Sequence, residues 1–194
     1  MQRLERKLLA PRVGRREAMA VRVRKAVLQD AVGIAHVHVD TWRSTYGGIV
    51  PDERLANMSY ERSQRMWEEI LSNPKETLFV AEDDPGHVVG FASCGPARDN
   101  EDFSGELYAI YVTQSMQGKG VGRALSLSVA QDLTANGCDS MLVWVLAQNP
   151  FRRFYESLGA EQVSAKDIVI GGKTLKELGY GWKNLDLLIA RLRR

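Results

Sequence analysis

The sequence predicts an α/β fold, a mixed α+β sheet flanked by helices, within one domain. Three observations carry this. Short apolar and β-branched runs alternate along the chain with amphipathic stretches of helical period. No internal repeat or low-complexity linker divides the 194 residues, a length that buries most apolar surface in a single core. A glycine-dense turn from Gln117 to Arg123 joins an apolar run to a long amphipathic one, as a strand-to-helix junction would.

Taken in order, Val21 to Val27 reads as a first strand. Asp30 is placed to cap a helix from Ala31 to Tyr46, with Ile34, His38 and Trp42 at steps of four; Gly47-Gly48 and Pro51 break it. Ser59 is placed to cap a second helix, Tyr60 to Leu71, which Asn73-Pro74 ends. Leu78 to Ala81 and Val88 to Cys94 read as a hairpin around Asp83-Asp84-Pro85-Gly86, and Glu106 to Val112 as a fourth strand. Gly122 to Ala135 is a third helix stopped at Asn136-Gly137, and Ser140 to Ala147 a fifth strand. Pro150 to Leu158 is a fourth helix with Asn149 as its cap, stopped at Gly159. Glu161 to Ile170 and Gly181 to Leu188 are expected to close the sheet.

Composition narrows the class. Apolar residues at 44% and charged ones at 26% are those of an ordinary globular protein, and no apolar run approaches the ~18 residues that span a bilayer. Neither membrane association nor nucleic-acid binding is therefore expected of the domain, and the expected compartment is the cytoplasm. Cys94 and Cys138 are far apart in sequence and lie beside or within strands, as buried free thiols do in a reducing compartment. Neither has ligand spacing to another Cys or His, and His36 and His38 point to different helix faces, so no metal is expected. Residues 1–18 hold Arg3, Arg6, Lys7, Arg12, Arg15 and Arg16 against Glu5 and Glu17, so their net charge is +4 against +2 for the whole chain. They read as a basic, disordered extension to a domain over residues 19–194, the alternative being an arm for nucleic acid or anionic lipid.

The glycine turn carries the chemistry. A helix start leaves N–H groups unpaired and partly positive, and Gly118, Gly120 and Gly122 remove side chains that would hold a ligand away from them. This describes an anion cradle, or else simply a flexible turn before a helix. Two phosphate motifs fail on spacing. Lys119 is followed by Gly120 where a P-loop needs Ser or Thr, and the third glycine of a dinucleotide fingerprint falls on Arg123. The pattern present is Gln-x-x-Gly-x-Gly at Gln117, Gly120 and Gly122, which resembles the pyrophosphate loop of the GNAT superfamily of N-acetyltransferases. Glu106 to Val112 resembles that family's fourth strand, Asn149-Pro150 with Arg152 to Gly159 its junction from fifth strand to fourth helix, and Trp42 to Pro51 its turn between the first two helices. The resemblance spans residues 21 to 190.

What the resemblance implies is an acetyl-CoA-dependent transfer to a primary amine, on a mostly antiparallel sheet whose fourth and fifth strands splay apart. Ile110, Tyr111 and Val112 would pair with the pantetheine arm, and Gln117, Gly118, Lys119, Gly120, Val121, Gly122 and Arg123 would hold the pyrophosphate. By spacing, Tyr155 belongs to a core stripe with Phe151, Phe154 and Leu158; by resemblance it faces the coenzyme sulfur as general acid. Asn149 would contact the pantetheine arm. Glu106 is a candidate base, directly or through water, or else a solvent-facing strand carboxylate. The acceptor site would draw on Trp42, Tyr46, Asp52, Glu53 and Trp182, with a small-molecule amine favoured over a protein N-terminus or lysine. A catalytically silent coenzyme-binding module is the alternative, and homodimers are frequent among members.

Overall fold

A computed structural model describes residues 21–98 and 102–194; the basic extension lies outside them. Seven strands form one sheet in the order β1-β2-β3-β4-β5-β7-β6. The strands are β1 (Arg22–Lys25), β2 (Thr77–Asp84), β3 (His87–Pro96), β4 (Gly105–Val112), β5 (Met141–Leu146), β6 (Glu161–Ile170) and β7 (Lys173–Trp182). Every neighbouring pair is antiparallel except β4 with β5. The helices are α1 (Ala31–Tyr46), α2 (Asp52–Ala56), α3 (Tyr60–Leu71), α4 (Val121–Ala135), α5 (Arg152–Ser157) and α6 (Leu185–Leu192).

The helices cover both faces of the sheet, which is why its central strands are apolar on both sides. Along β2, Leu78 and Val80 face α1 and α3, where Ile34, Val37, Trp67 and Phe91 complete one core. Phe79 and Ala81 face the other way, into a larger core with Leu125, Val129 and Leu133 of α4. The period of two along the strand thus splits the interior into two layers.

One irregularity positions the site. On β3, Ser93 pairs with Ala109 but the next residue, Cys94, pairs with Leu107, so Tyr108 is an extra residue on β4. At the same place β4 leaves β5: their parallel pairing runs from Gly105↔Met141 to Leu107↔Val143 and stops. A bulge bends its strand and ends pairing. Beyond it, residues 109–112 stay bonded to β3 while their other edge opens into a wedge against β5. This is the splayed pair that the resemblance implies.

Helices α1 and α3 begin and end where their sequence signals place them, and Ser59 caps α3 by accepting from the Arg62 N–H at 3.2 Å. Other expectations need correction. Asp30 does not cap α1 through its side chain; its carboxylate accepts from the Val27 N–H and from Arg24, which in turn reaches Glu82 on β2. The first strand is shorter than expected: it ends at Lys25, the Ala26 N–H still donates to the Leu78 carbonyl of β2 at 2.8 Å, and the turn begins at Val27. Between the Pro51 break and the Ser59 cap, Asp52–Ala56 forms a further short helix. The last strand lies earlier than Gly181–Leu188: Gly171 and Gly172, with φ of 56° and 80°, make a two-residue hairpin turn that starts β7 at Lys173. Residues 185–192 are instead helix α6, capped by the Asn184 side chain and burying Leu185, Leu188 and Leu192. Those three leucines follow a helical step, which outweighs the β character of Tyr180 and Trp182 just before them.

Candidate active site

The glycine turn closes the wedge at the C-terminal end of β4. Gly118 and Gly120 have φ of 71° and 85°, a backbone that L side chains rarely adopt, and a Cβ at either would project into open space rather than protein. Gly122 is needed for a different reason: a Cβ there would stand 3.2 Å from the Phe154 ring, so its absence lets α4 approach α5. Gln117 fastens the turn, its side-chain amide donating to the Val112 carbonyl at 3.1 Å. Val121 is buried in the core, so only its backbone can face a ligand. Arg123 lines the wedge cavity and donates to the Arg191 carbonyl of α6. Lys119 is exposed and lies off the cavity wall.

A cavity of about 340 Å³ runs from this turn down the wedge. Ile110, Tyr111 and Val112 form one wall, Val143 to Val145 of β5 the other, and Tyr155 and Phe154 part of the floor. Tyr155 belongs to both of its alternative readings: it packs against Tyr180 and Trp182 in the core, yet lines the cavity. Its hydroxyl makes no hydrogen bond among the described residues, and burial pushes its pKa up, so it stands as a protonated, uncommitted donor. Asn149 is buried; its carbonyl accepts from the Phe151 N–H at 2.8 Å and its amide donates to the Tyr46 hydroxyl at 3.1 Å. It braces the turn into α5, which begins at Arg152 rather than Pro150.

A second cavity, about 420 Å³, adjoins the first. The two share Tyr46, Tyr108, Tyr111, Trp144 and Val145, so one aromatic partition separates them. Trp42 donates to the Tyr111 hydroxyl at 2.9 Å and sets the partition's angle. Arg98 lies 4.0 Å over the Tyr108 ring and donates to Glu106 at 2.6 Å. Glu106 is only 3% exposed, so it is not a solvent-facing carboxylate; it lines this second cavity, paired with Arg98. Lys166 on β6 sits 4.0 Å over Trp144, and Glu177 on β7 lines the same cavity.

Of the residues expected to shape an acceptor site, Trp42 and Tyr46 line this cavity. Asp52 and Glu53 are exposed on α2 and do not line it, and Trp182 is buried beneath Tyr155 with its indole N–H donated to the Leu158 carbonyl. Arg98, Trp144, Lys166 and Glu177 were missed. The last two were hidden because β7 was read too late in sequence, so the β6–β7 register that brings them to one cavity was not available. Among the described residues no group of His, Cys, Asp and Glu could hold a metal ion. His38 is hydrogen-bonded to Ser63 and held neutral by burial, its pKa down to about 4, and burial raises the Cys94 thiol to about 12. No helix among the described residues is long and apolar enough to cross a membrane.

The glycine turn at the head of α4 thus stands beside an open seam between β4 and β5 of a mixed sheet. Residues 35–160 match the Acetyltransferase (GNAT) family, and the chain belongs to it, as an acetyl-CoA-dependent N-acetyltransferase of that type. It is 43% identical over 175 residues to the uncharacterised N-acetyltransferase YuaI of Bacillus subtilis (strain 168), covering 90% of this chain and 99% of that protein. It is 26% identical to the L-methionine sulfoximine/L-methionine sulfone acetyltransferase of Pseudomonas aeruginosa, over 68% of this chain and 74% of that one. The fold is that of the PaiA N-acetyltransferase of Thermoplasma acidophilum, solved in complex with coenzyme A (TM-score 0.63, 21% identity, 82% of this chain and 98% of the other).

Proposed function

We propose that the protein transfers the acetyl group of acetyl-CoA to a primary amine on a small molecule, by direct attack within a ternary complex. The observation that carries this reading is the pair of cavities meeting at one aromatic partition. One has an anion cradle at its end and suits the coenzyme; the other holds aromatic rings with Glu106, paired to Arg98, and Glu177 beside Lys166, and the rings and the Glu177 carboxylate suit a cationic amine. A volume near 420 Å³ is in the range of small-molecule sites. The Pseudomonas relative is named as an acetyltransferase of L-methionine sulfoximine and L-methionine sulfone, both small molecules.

In this reading the backbone N–H groups from Gln117 to Gly122, with the start of α4, hold the pyrophosphate, and Arg123 and Lys119 add positive charge. The open edge of Ile110 to Val112 pairs with the pantetheine amides as an added strand would, with Asn149 beside the arm. A β4 N–H near Ile110 or Val112 donates to the developing oxyanion. Tyr155 gives its proton to the departing sulfur and regains one from the new amide nitrogen. No enzyme nucleophile is required, since holding amine and thioester together supplies much of the rate.

The test is release of free thiol from acetyl-CoA with a panel of amines, alongside calorimetric binding of coenzyme A. Turnover with small amines is the expected result. Retained coenzyme binding with silence across a broad panel would instead favour a module that binds without catalysing.

A further inference from the structure

The acetyltransferase reading needs a group that removes a proton from the incoming ammonium, and the second cavity offers two carboxylates. We propose that Glu177, rather than Glu106, receives the acceptor ammonium and takes its proton.

Glu106 is committed. Its Oε2 accepts from the Arg98 backbone N–H at 3.0 Å and its Oε1 from the Arg98 guanidinium at 2.6 Å, so protonating it would dismantle a charge-assisted pair. Glu177 has no such partner: it makes no hydrogen bond or ion pair among the described residues. It stands on β7 opposite Leu146, at the end of β5 where the wedge is open, and lines the acceptor-side cavity with Trp42, Tyr46 and Tyr111. Burial raises the pKa of both the Tyr46 and the Tyr111 hydroxyl, and the Glu177 charge adds a smaller push in the same direction at each. Burial raises its own pKa and Glu106 on β4 adds to that, while Lys166 on β6 and Arg98 after β3 oppose it. Tyr46 from α1 and Tyr108 and Tyr111 from β4 are the remaining titratable groups on the cavity wall. A carboxylate moved toward neutrality, facing rings that favour a cation, is suited first to hold an ammonium and then to deprotonate it.

The step balances without a co-reactant. The ammonium N–H bond breaks and its proton passes to a Glu177 oxygen. Where the two cavities adjoin, the freed lone pair then forms the C–N bond to the thioester carbon and the C–S bond breaks, the thiolate taking its proton from Tyr155 and the new amide nitrogen giving one back. Glu177 returns the proton to solvent through the cavity mouth before the next cycle.

This rests on the transferase reading, and its test separates the two. With the full-length enzyme, acetyl-CoA and the fastest of ethanolamine, tyramine, spermidine and L-methionine, kcat/KM is measured against pH for wild type, Glu177→Gln and Glu106→Gln. Glu177→Gln should lower kcat/KM by about 10²-fold near pH ~7 and converge on wild type as pH approaches the amine's own pKa of ~10. Glu106→Gln should keep the wild-type acidic limb. An unchanged limb in Glu177→Gln would overturn the assignment. The second readout needs no acceptor: in a ¹³C NMR titration, the carboxyl signal missing from Glu177→Gln should titrate above the surface glutamates. Titration among them overturns the proposal even if no amine reacts, and an absence of turnover in the wild type counts against the transferase reading alone.

Discussion

Tyr155 is where spacing and structure meet most closely. An i, i+3, i+4, i+7 stripe in α5 made it a core residue, and its packing on Tyr180 and Trp182 agrees; only the cavity shows that its hydroxyl end is free. Tyr155→Phe keeps the packing and removes the proton, so kcat should fall by about 10²-fold with coenzyme affinity nearly unchanged. Steady-state kinetics with a coenzyme titration checks both halves. The glycines of the cradle separate by the same logic. Gly120→Asp forces a left-handed backbone onto an aspartate and sets a negative charge against the pyrophosphate, so coenzyme binding should be lost. Unchanged affinity by calorimetry would remove the loop from the site. The positions of such residues were legible in sequence because their signals are local: the glycine spacing gives the turn before α4, and the Asn149-Pro150 pair gives the turn before α5, although that helix starts two residues later than expected. Glu177 and Lys166 were not, because nothing local marks a strand carboxylate or amine as facing a cavity. Their meeting depends on strand register.

At the scale of elements, the helices were the more legible part. Ser59 and Asn73-Pro74 bound α3 on both sides, and the structure returns Tyr60–Leu71. Ser59→Ala removes the acceptor for the Arg62 N–H and should cost about 1 kcal/mol, read as a lowered midpoint in urea with an unchanged slope. The end of the chain was harder, since Tyr180, Gly181 and Trp182 carry β character directly into the leucines of α6. The deciding residues there are the Gly171-Gly172 turn and the Asn184 cap, which fix β7 from one side and stop it from the other. The α4–α5 contact is a further element-level test. Gly122→Leu places a side chain where the Phe154 ring stands, so it should move α5, carry Tyr155 with it, and lower both stability and coenzyme affinity. A thermal melt and a coenzyme titration on one sample distinguish this from Gly120→Asp, whose backbone strain should cost only about 1 kcal/mol of stability while coenzyme binding is lost.

For the molecule as a whole, Arg24 ties β1 to the turn before α1 and to β2 through Asp30 and Glu82. Hydrogen bonds from Arg24 hold Glu82 below its ordinary pKa, and bonds from Arg24 and Val27 do so for Asp30 against the opposing effect of burial. Carboxylates whose pKa is depressed by folding stabilise above their unfolded values of ~4 and lose that contribution as pH falls through the folded ones. Arg24→Met should therefore cost about 2 kcal/mol at neutral pH, and the gap to wild type should close below about pH 3, measured by denaturant unfolding across the acid range. The largest consequence belongs to the bulge at Tyr108. By ending the β4–β5 pairing it leaves two strands facing each other with backbone groups unclaimed, a sheet edge in the middle of a sheet rather than at its rim. A rim edge is open to any passing strand, and β6 is such an edge here. An interior edge, with tertiary structure on both sides, admits only something one strand wide, thin enough to thread and able to offer amides. Removing the single extra residue should let β4 zip to β5 while every other side chain keeps its face, giving a chain that folds and has nowhere to put its coenzyme. The enzyme is, in this sense, a sheet that was never allowed to finish.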